Sequence, residues 1–286
     1  MPPASRLEPQ RLGRQHALVR AFHQALRGHA GREASVLILL ETPKLIGDAL
    51  RSRMKLETVL FTPAGWRQHG APLGAQLSKH TTVGLVEESV LRSCVEVETP
   101  AGVAALAHPP QARLEEIWAS PAAGPALVVA AAGLQDPGNL GTLARAAEAF
   151  GAQALVTLQG SVSCWRPKTI RAGAGALFRL PVLDGVEPGL WLDFCRRREA
   201  ALLAAVPRRG RPPESLPWSG RICLLIGGEG AGLPRALERA ATAVSLPMRP
   251  QAESLNAAVA GAVLLYLAWR GRPPDPAPPE GGAIMA

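Results

Sequence analysis

The stretch "ICLLIGGEGAGLPRAL" (222–237) joins an apolar run to a glycine-rich turn. Its apolar run is continuous rather than alternating, the pattern of a strand buried on both faces. Four of the six residues 227–232 are glycine, and Pro234 then opens a helix. Comparable runs stand at "ALVVAA" (126–131), "ALVTL" (154–158), "ALLAAV" (201–206) and "AVSLP" (243–247). Helical segments separate most of them, which predicts crossover units and a mainly parallel sheet within residues 122–270. Such sheets take ligands beyond the carboxyl ends of their strands, so the loops after these runs are the candidate site.

Three loops carry chemistry. In "LQDPGNLGTLARAAEAFG" (134–151), Asn139 stands just ahead of an alanine-rich helix and Arg145 lies within it. Helical spacing puts Leu143, Ala146, Ala147 and Phe150 on one apolar face and Arg145 roughly opposite. From spacing alone, Arg145 reads as a solvated arginine and Asn139 as an ordinary turn residue. In the second loop, Gly227, Gly228, Gly230 and Gly232 allow a backbone to approach a ligand closely or adopt positive φ. Gly228, Gly230 and Gly232 form G-x-G-x-G, which invites a nicotinamide-dinucleotide reading. That reading is weakened by the wrong glycine spacing, the late strand, and the lack of an acidic strand end at the proper distance. The third loop, "SLPMRPQAESLNAAVAGAV" (245–263), runs from a strand end at Pro247 into the last apolar helix. Either Ser254 or Asn256 begins that helix, and capping is the plain reading of Ser254. Asn256 needs a hydrogen-bond partner, because an unpaired amide at a buried helix mouth costs about 1–3 kcal/mol.

Composition narrows the reaction. The 286 residues are 47% hydrophobic, enough for one large or two ordinary domains. A net charge of +8 and a pI near 10.1 favour a polyanionic partner. Cys94, Cys164, Cys195 and Cys223 form no C-x-x-C pair, and the N-terminus has no secretory pattern, so a reduced cytoplasmic setting without structural zinc is expected. The run at 255–269 is too short to span a bilayer comfortably, so no membrane association is expected. All six histidines precede residue 109. The second unit therefore lacks an imidazole base, which excludes Ser-His-Asp or Cys-His catalysis there, and lacks a nitrogen-rich metal site. Methyl transfer from a sulfonium suits such a site, since the donor leaves as a neutral thioether and needs no metal.

Residues 1–15 and 271–286 read as flexible ends, and the proline-rich 108–121 as a linker. Between them, 16–107 reads as a smaller α/β unit. It has a helix closed by Gly28, a strand at "SVLILLE" (35–41), and a helix capped by Thr42 with Pro43 at its first position.

The three loops together resemble the motifs of the SpoU–TrmH family of RNA ribose 2′-O-methyltransferases. "LQDPGNLGTLARAAEAFGA" is similar to the first, "LLIGGEGAGLPRAL" to the second and "VSLPMRPQAESLNAAVAGAVLLY" to the third. "WRPKTIRAGAGALFRLPV" (165–182) resembles an intervening segment seen in many members. The N-terminal unit resembles, more loosely, the ribosomal-protein-L30-like domain that binds substrate RNA, with Thr42 where glycine is usual. The resemblance implies an α/β fold whose mainly parallel sheet ends in a deep trefoil knot, and a homodimer with active sites near the subunit interface. It implies S-adenosylmethionine as donor, held by Gly227, Gly228, Gly230, Leu246, Met248 and Leu255. The catalytic polar set maps onto Asn139, Arg145, Glu229, Ser254 and Asn256. Ribosomal RNA is favoured over tRNA as substrate, and a non-catalytic RNA-binding or ribosome-assembly role is the competing class. The basic runs "RRR" (196–198) and "RRGR" (208–211) are either RNA guides or solvated surface.

Overall fold

A computed structural model describes residues 9–27, 37–119, 126–228 and 232–270. Glu229 and Gly230, Gly28, and the tail from residue 271 lie outside them, as do most of the first fifteen residues.

In the first unit the chain runs β1 (Gln10–Arg11), α1 (Ala17–Leu26), β2 (Ile38–Leu40), α2 (Pro43–Arg51), β3 (Leu56–Phe61), α3 (Pro63–Gly74), β4 (Thr82–Leu85), α4 (Glu88–Ser93) and β5 (Val103–Ala107). The strands assemble in the order β1-β4-β3-β5-β2, with β5 antiparallel to both β3 and β2. Thr42 and Thr62 each accept a hydrogen bond from the backbone N–H three residues on, at 3.2 and 3.0 Å, and each precedes a proline that starts the helix. An oxygen cap followed by a proline with no N–H to satisfy is an efficient way to begin a helix.

The second unit runs β6 (Ala126–Ala132), α5 (Pro137–Ala149), β7 (Ala154–Leu158), α6 (Pro167–Gly173), β8 (Val182–Val186), α7 (Pro188–Arg197), β9 (Ala201–Ala205), β10 (Arg221–Gly227), α8 (Arg235–Ala240), β11 (Thr242–Val244) and α9 (Ala257–Trp269). Among the described residues its sheet has the order β11-β9-β10-β6-β7-β8, and every pairing is parallel. The α/β class with a mainly parallel sheet behind a smaller α/β unit is as the sequence predicts. All of β6 and β7 is buried, as continuous apolar runs require.

Several local expectations are corrected. The strand expected at 243–247 ends at Val244, because the chain turns away to line a cavity. Strand β8 carries no continuous apolar run, because it is a half-buried edge strand holding Asp184 and Gly185. Helix α5 begins at Pro137 with Asp136 as its cap, so Asn139 sits in the first turn and not ahead of it. The buried face of α5 is Leu140, Gly141, Leu143, Ala144 and Ala147, while Ala146 and Phe150 are only partly covered. That face is wide because α5 touches both α6 and α9. Contact with α6 is so close that a Cβ on Gly141 would lie 2.5 Å from Ala172 Cβ.

Residues 108–119 make contacts with both units. His108 bonds Glu57 at 3.0 Å, and Trp118, 2% exposed, stacks on Phe194 of α7 and donates its indole N–H to the Ala126 carbonyl at 2.8 Å. Among the described residues no helix is long and apolar enough to cross a membrane.

Candidate active site

Beyond the carboxyl ends of β9, β10 and β11, three loops enclose a cavity of about 400 Å³. That volume lies within the ordinary range for small-molecule sites. Ile226, Leu246, Leu255 and Leu264 give it an apolar wall, Gly227, Gly228 and Gly232 a backbone wall, and Met248 and Ser254 complete its third side. Among the described residues Glu238 is the one acidic side chain lining it.

The glycines at its edge have a structural cause. A Cβ on Gly228 would lie 2.1 Å from the Gly133 carbonyl oxygen, an impossible contact between two backbones. The Gly228 N–H donates to the Ala132 carbonyl at 3.0 Å, and Gly133 holds φ at +80°. Glycine at 228 therefore lets the loops after β6 and β10 meet, which joins the first motif to the second.

The first and third motifs meet through their amides. Asn256 Nδ2 donates to Asn139 Oδ1 at 2.9 Å. Asn256 Oδ1 meanwhile accepts the N–H groups of Ala258 and Val259 at 3.0 and 3.2 Å. Asn256 is thus the cap of α9, the role the plain reading gave to Ser254, and Ser254 is left facing the cavity. One residue starts the helix that walls the cavity and anchors the helix that carries Arg145.

Arg145 projects from α5 into solvent and, among the described residues, makes no hydrogen bond or ion pair. A planar five-donor group held exposed on a rigid helix can take a phosphate or carboxylate oxygen in bidentate fashion. The structure thus brings Gly227, Gly228, Leu246, Met248, Ser254 and Leu255 to the cavity and links Asn139 with Asn256, while Arg145 stands apart on the outer face of α5.

Other parts of the site were not anticipated. Ala205, Val206 and Pro207 form a cavity wall, and only their place after a strand run hints at it. Away from the cavity, Asp184 accepts hydrogen bonds from Thr157 (2.6 Å), Ser163 (2.5 Å) and the Cys164 N–H (3.0 Å), fixing the loop after β7. Parts of the basic runs also have internal partners. Arg208 donates to the Pro250 and Ala252 carbonyls at 2.9 and 2.6 Å, tying down the loop that leads to Ser254. Arg198 bonds the Glu115 carbonyl at 3.1 Å and lies over the Phe194 ring.

The cysteines are inert. All four are free and buried. Burial pushes the Cys94, Cys164 and Cys223 thiols up, with the Asp184 charge adding to the effect at Cys164. Thiols held protonated in this way are poor nucleophiles and poor metal ligands.

A parallel α/β sheet with a small-molecule cavity beyond its carboxyl ends, bounded by a glycine turn and an amide-capped helix, defines a ligand-binding α/β protein of the open-sheet class. Residues 126–266 match the SpoU rRNA methylase family, and residues 21–105 match the MRM3-like substrate-binding domain. The chain is 31% identical over 229 residues to the 23S rRNA (guanosine(2553)-2′-O)-methyltransferase RlmP of Bacillus subtilis, covering 80% of this chain and 86% of that one. It is 31% identical to the uncharacterized tRNA/rRNA methyltransferase slr1673 of Synechocystis, covering 90% and 92% of the two chains. Among solved structures, the SpoU methyltransferase AviRb of Streptomyces viridochromogenes in complex with AdoMet superimposes with a TM-score of 0.79 at 26% identity, covering 90% of this chain and 98% of that one. This chain belongs to the SpoU rRNA methylase family.

Proposed function

We propose that the protein transfers a methyl group from S-adenosylmethionine to a ribose 2′-hydroxyl of ribosomal RNA. The observation that carries this reading is the union of all three motifs: the glycine turn and third loop wall one cavity, and the Asn139–Asn256 bond ties that wall to the Arg145 helix. Membership of an rRNA methylase family, the name of the 31%-identical RlmP, and the AdoMet complex of AviRb support the substrate and donor.

The cavity suits the donor. Its apolar wall fits an adenine ring, and the backbone N–H and C=O groups of the glycine turn can read the ring's edge. Glu238 places a carboxylate beside a ligand that carries positive charge. When bound, S-adenosylmethionine supplies an electrophilic methyl group and a neutral leaving group. This chain's residues supply position and charge. Leu246, Met248 and Leu255 offer the donor apolar contact, Ser254 offers a hydroxyl, and the Asn256 bond to Asn139 holds the first turn of α5. Arg145 takes the phosphate beside the target ribose and stabilises the oxygen anion that develops on the sugar. A guanidinium stays protonated in proteins, so the hydroxyl proton passes to a phosphate oxygen or to water. Glu229 and Gly230, outside the described residues, complete the glycine turn in this reading.

Residues 16–107 hold the RNA, residues 122–270 carry the reaction, and 108–121 join them. The Ser245 N–H bonds the Arg211 carbonyl at 3.1 Å, and Gly210 is pressed against the Val244–Ser245 backbone, a close apposition of two segments that a trefoil knot requires. A homodimer is supported by α9: Val259, Val263, Tyr266 and Trp269 leave large apolar side chains exposed along it. Four free buried thiols fit a reducing cytoplasm.

The test is transfer of tritiated methyl from S-adenosylmethionine to ribosomal RNA. Arg145→Ala should keep donor affinity yet lose at least about a hundredfold in rate, the scale of one lost electrostatic donor. Unchanged turnover returns Arg145 to ordinary solvated surface.

A further inference from the structure

We infer that Arg171 is a positioning residue: clamped by Glu41 and Glu96, it holds the RNA-binding unit at one angle to the donor cavity and so sets which ribose is methylated. This deepens the function proposed above and rests on it.

Arg171 lies on α6 of the second unit, while Glu41 and Glu96 belong to the first. Glu41 follows β2 directly and is 1% exposed. Its carboxylate accepts the Arg171 guanidinium through one oxygen and the Glu96 N–H through the other. The second arm of Arg171 reaches Glu96 Oε2 at 3.2 Å. A buried carboxylate is tolerated only with partners of this quality, and a guanidinium fork fixes direction as well as distance.

The two units also approach each other at Gly175. A Cβ there would lie 3.0 Å from Asp48 of α2 and 3.0 Å from Arg179 of the second unit. Arg179 in turn grips Glu148 of α5, with one arm at 2.9 Å. Beside the clamp, Leu45 and Ile46 of α2 share one continuous buried cluster with Ile170 and Leu177 of the second unit. Helix α6 presses on α5 at Gly141, between Asn139 and Arg145. The seam therefore joins the RNA-holding unit to the elements beside the cavity, rather than leaving it on a tether.

Small changes of angle matter. A unit of about 100 residues has a radius of gyration of about 13 Å, so a tilt of about 10° moves its far side by roughly 4–5 Å. Misplacement of a reacting group by about 1 Å can cost about a hundredfold.

The test uses the full chain and the paired change Glu41→Leu with Arg171→Leu, which strands no buried charge. Small-angle scattering, donor affinity by calorimetry, methyl-transfer kinetics and a map of methylated riboses are compared with wild type. We expect donor affinity within about twofold, a broadened scattering profile, a KM for ribosomal RNA raised by about tenfold to a hundredfold, and methyl groups spread onto neighbouring riboses. Arg171→Lys, which keeps the charge without the fork, should fall between. If the pair fails to fold, Glu96→Gln removes one arm at a partly exposed position and should move the same readouts less far. Unchanged scattering, or an unchanged KM and methylation map in a well-folded variant, overturns the inference. Wild-type protein that methylates no RNA instead overturns the function, while the scattering comparison still tests the clamp.

Discussion

Asn256 does two jobs that substitution can separate. Its Oδ1 caps α9 through two backbone N–H groups, and its Nδ2 donates to Asn139. Removing an amide cap costs about 1 kcal/mol, and losing the side-chain bond costs about 0.5–1.5 kcal/mol more. Asn256→Ala should therefore lower unfolding free energy by about 2 kcal/mol in a urea titration. Asn256→Asp keeps the cap oxygen and adds negative charge at a helix N-terminus, so its stability should stay within about 1 kcal/mol of wild type. It cannot donate to Asn139, however, and methyl transfer should fall as far as in Asn139→Ala. In the Asn139→Ala/Asn256→Ala cycle the two losses should be less than additive by about 0.5–1.5 kcal/mol. Full activity in Asn256→Asp, or strict additivity in the cycle, refutes the idea that this bond couples the motifs.

Gly228→Ala puts a methyl group against the Gly133 carbonyl, so it should cost about 1–3 kcal/mol and abolish donor binding measured by calorimetry. On α9, the face proposed to form the dimer, the unsubstituted chain should sediment as a dimer and Tyr266→Glu as a monomer in analytical ultracentrifugation; Tyr266 is exposed there and meets Phe150 edge-on. Stability should fall as pH rises above about 8.5, where thiols of the unfolded chain ionise and the buried Cys164 and Cys223 do not. The folded thiols lie above their unfolded values, so their contribution is complete below that pH and is lost above it. Cys164→Ala/Cys223→Ala should flatten the alkaline limb of melting temperature against pH.

The sheet was legible wherever strands are buried on both faces, because burial imposes a continuous apolar run; β6, β7, β9 and β10 all show it. Strand β8 was not, because an edge strand needs only half its residues apolar and admits Asp184. At the site, glycine clustering pointed to close approach, but sequence cannot reveal that the nearest neighbour of Gly228 is the backbone of Gly133. The choice between Ser254 and Asn256 as cap was likewise open until their oxygens could be traced to particular N–H groups. Longest-range of all, Glu41 and Arg171 lie 130 residues apart and carry no local signal of their pairing.

The methyl group is expected on a ribose oxygen. A 2′-O-methyl group blocks the hydroxyl that alkali needs to cleave the adjacent phosphodiester. Ribosomal RNA labelled with tritiated methyl by this protein should therefore yield its label in an alkali-resistant dinucleotide after complete hydrolysis. Label recovered in a mononucleotide, and released with the free base on acid treatment, would contradict the account.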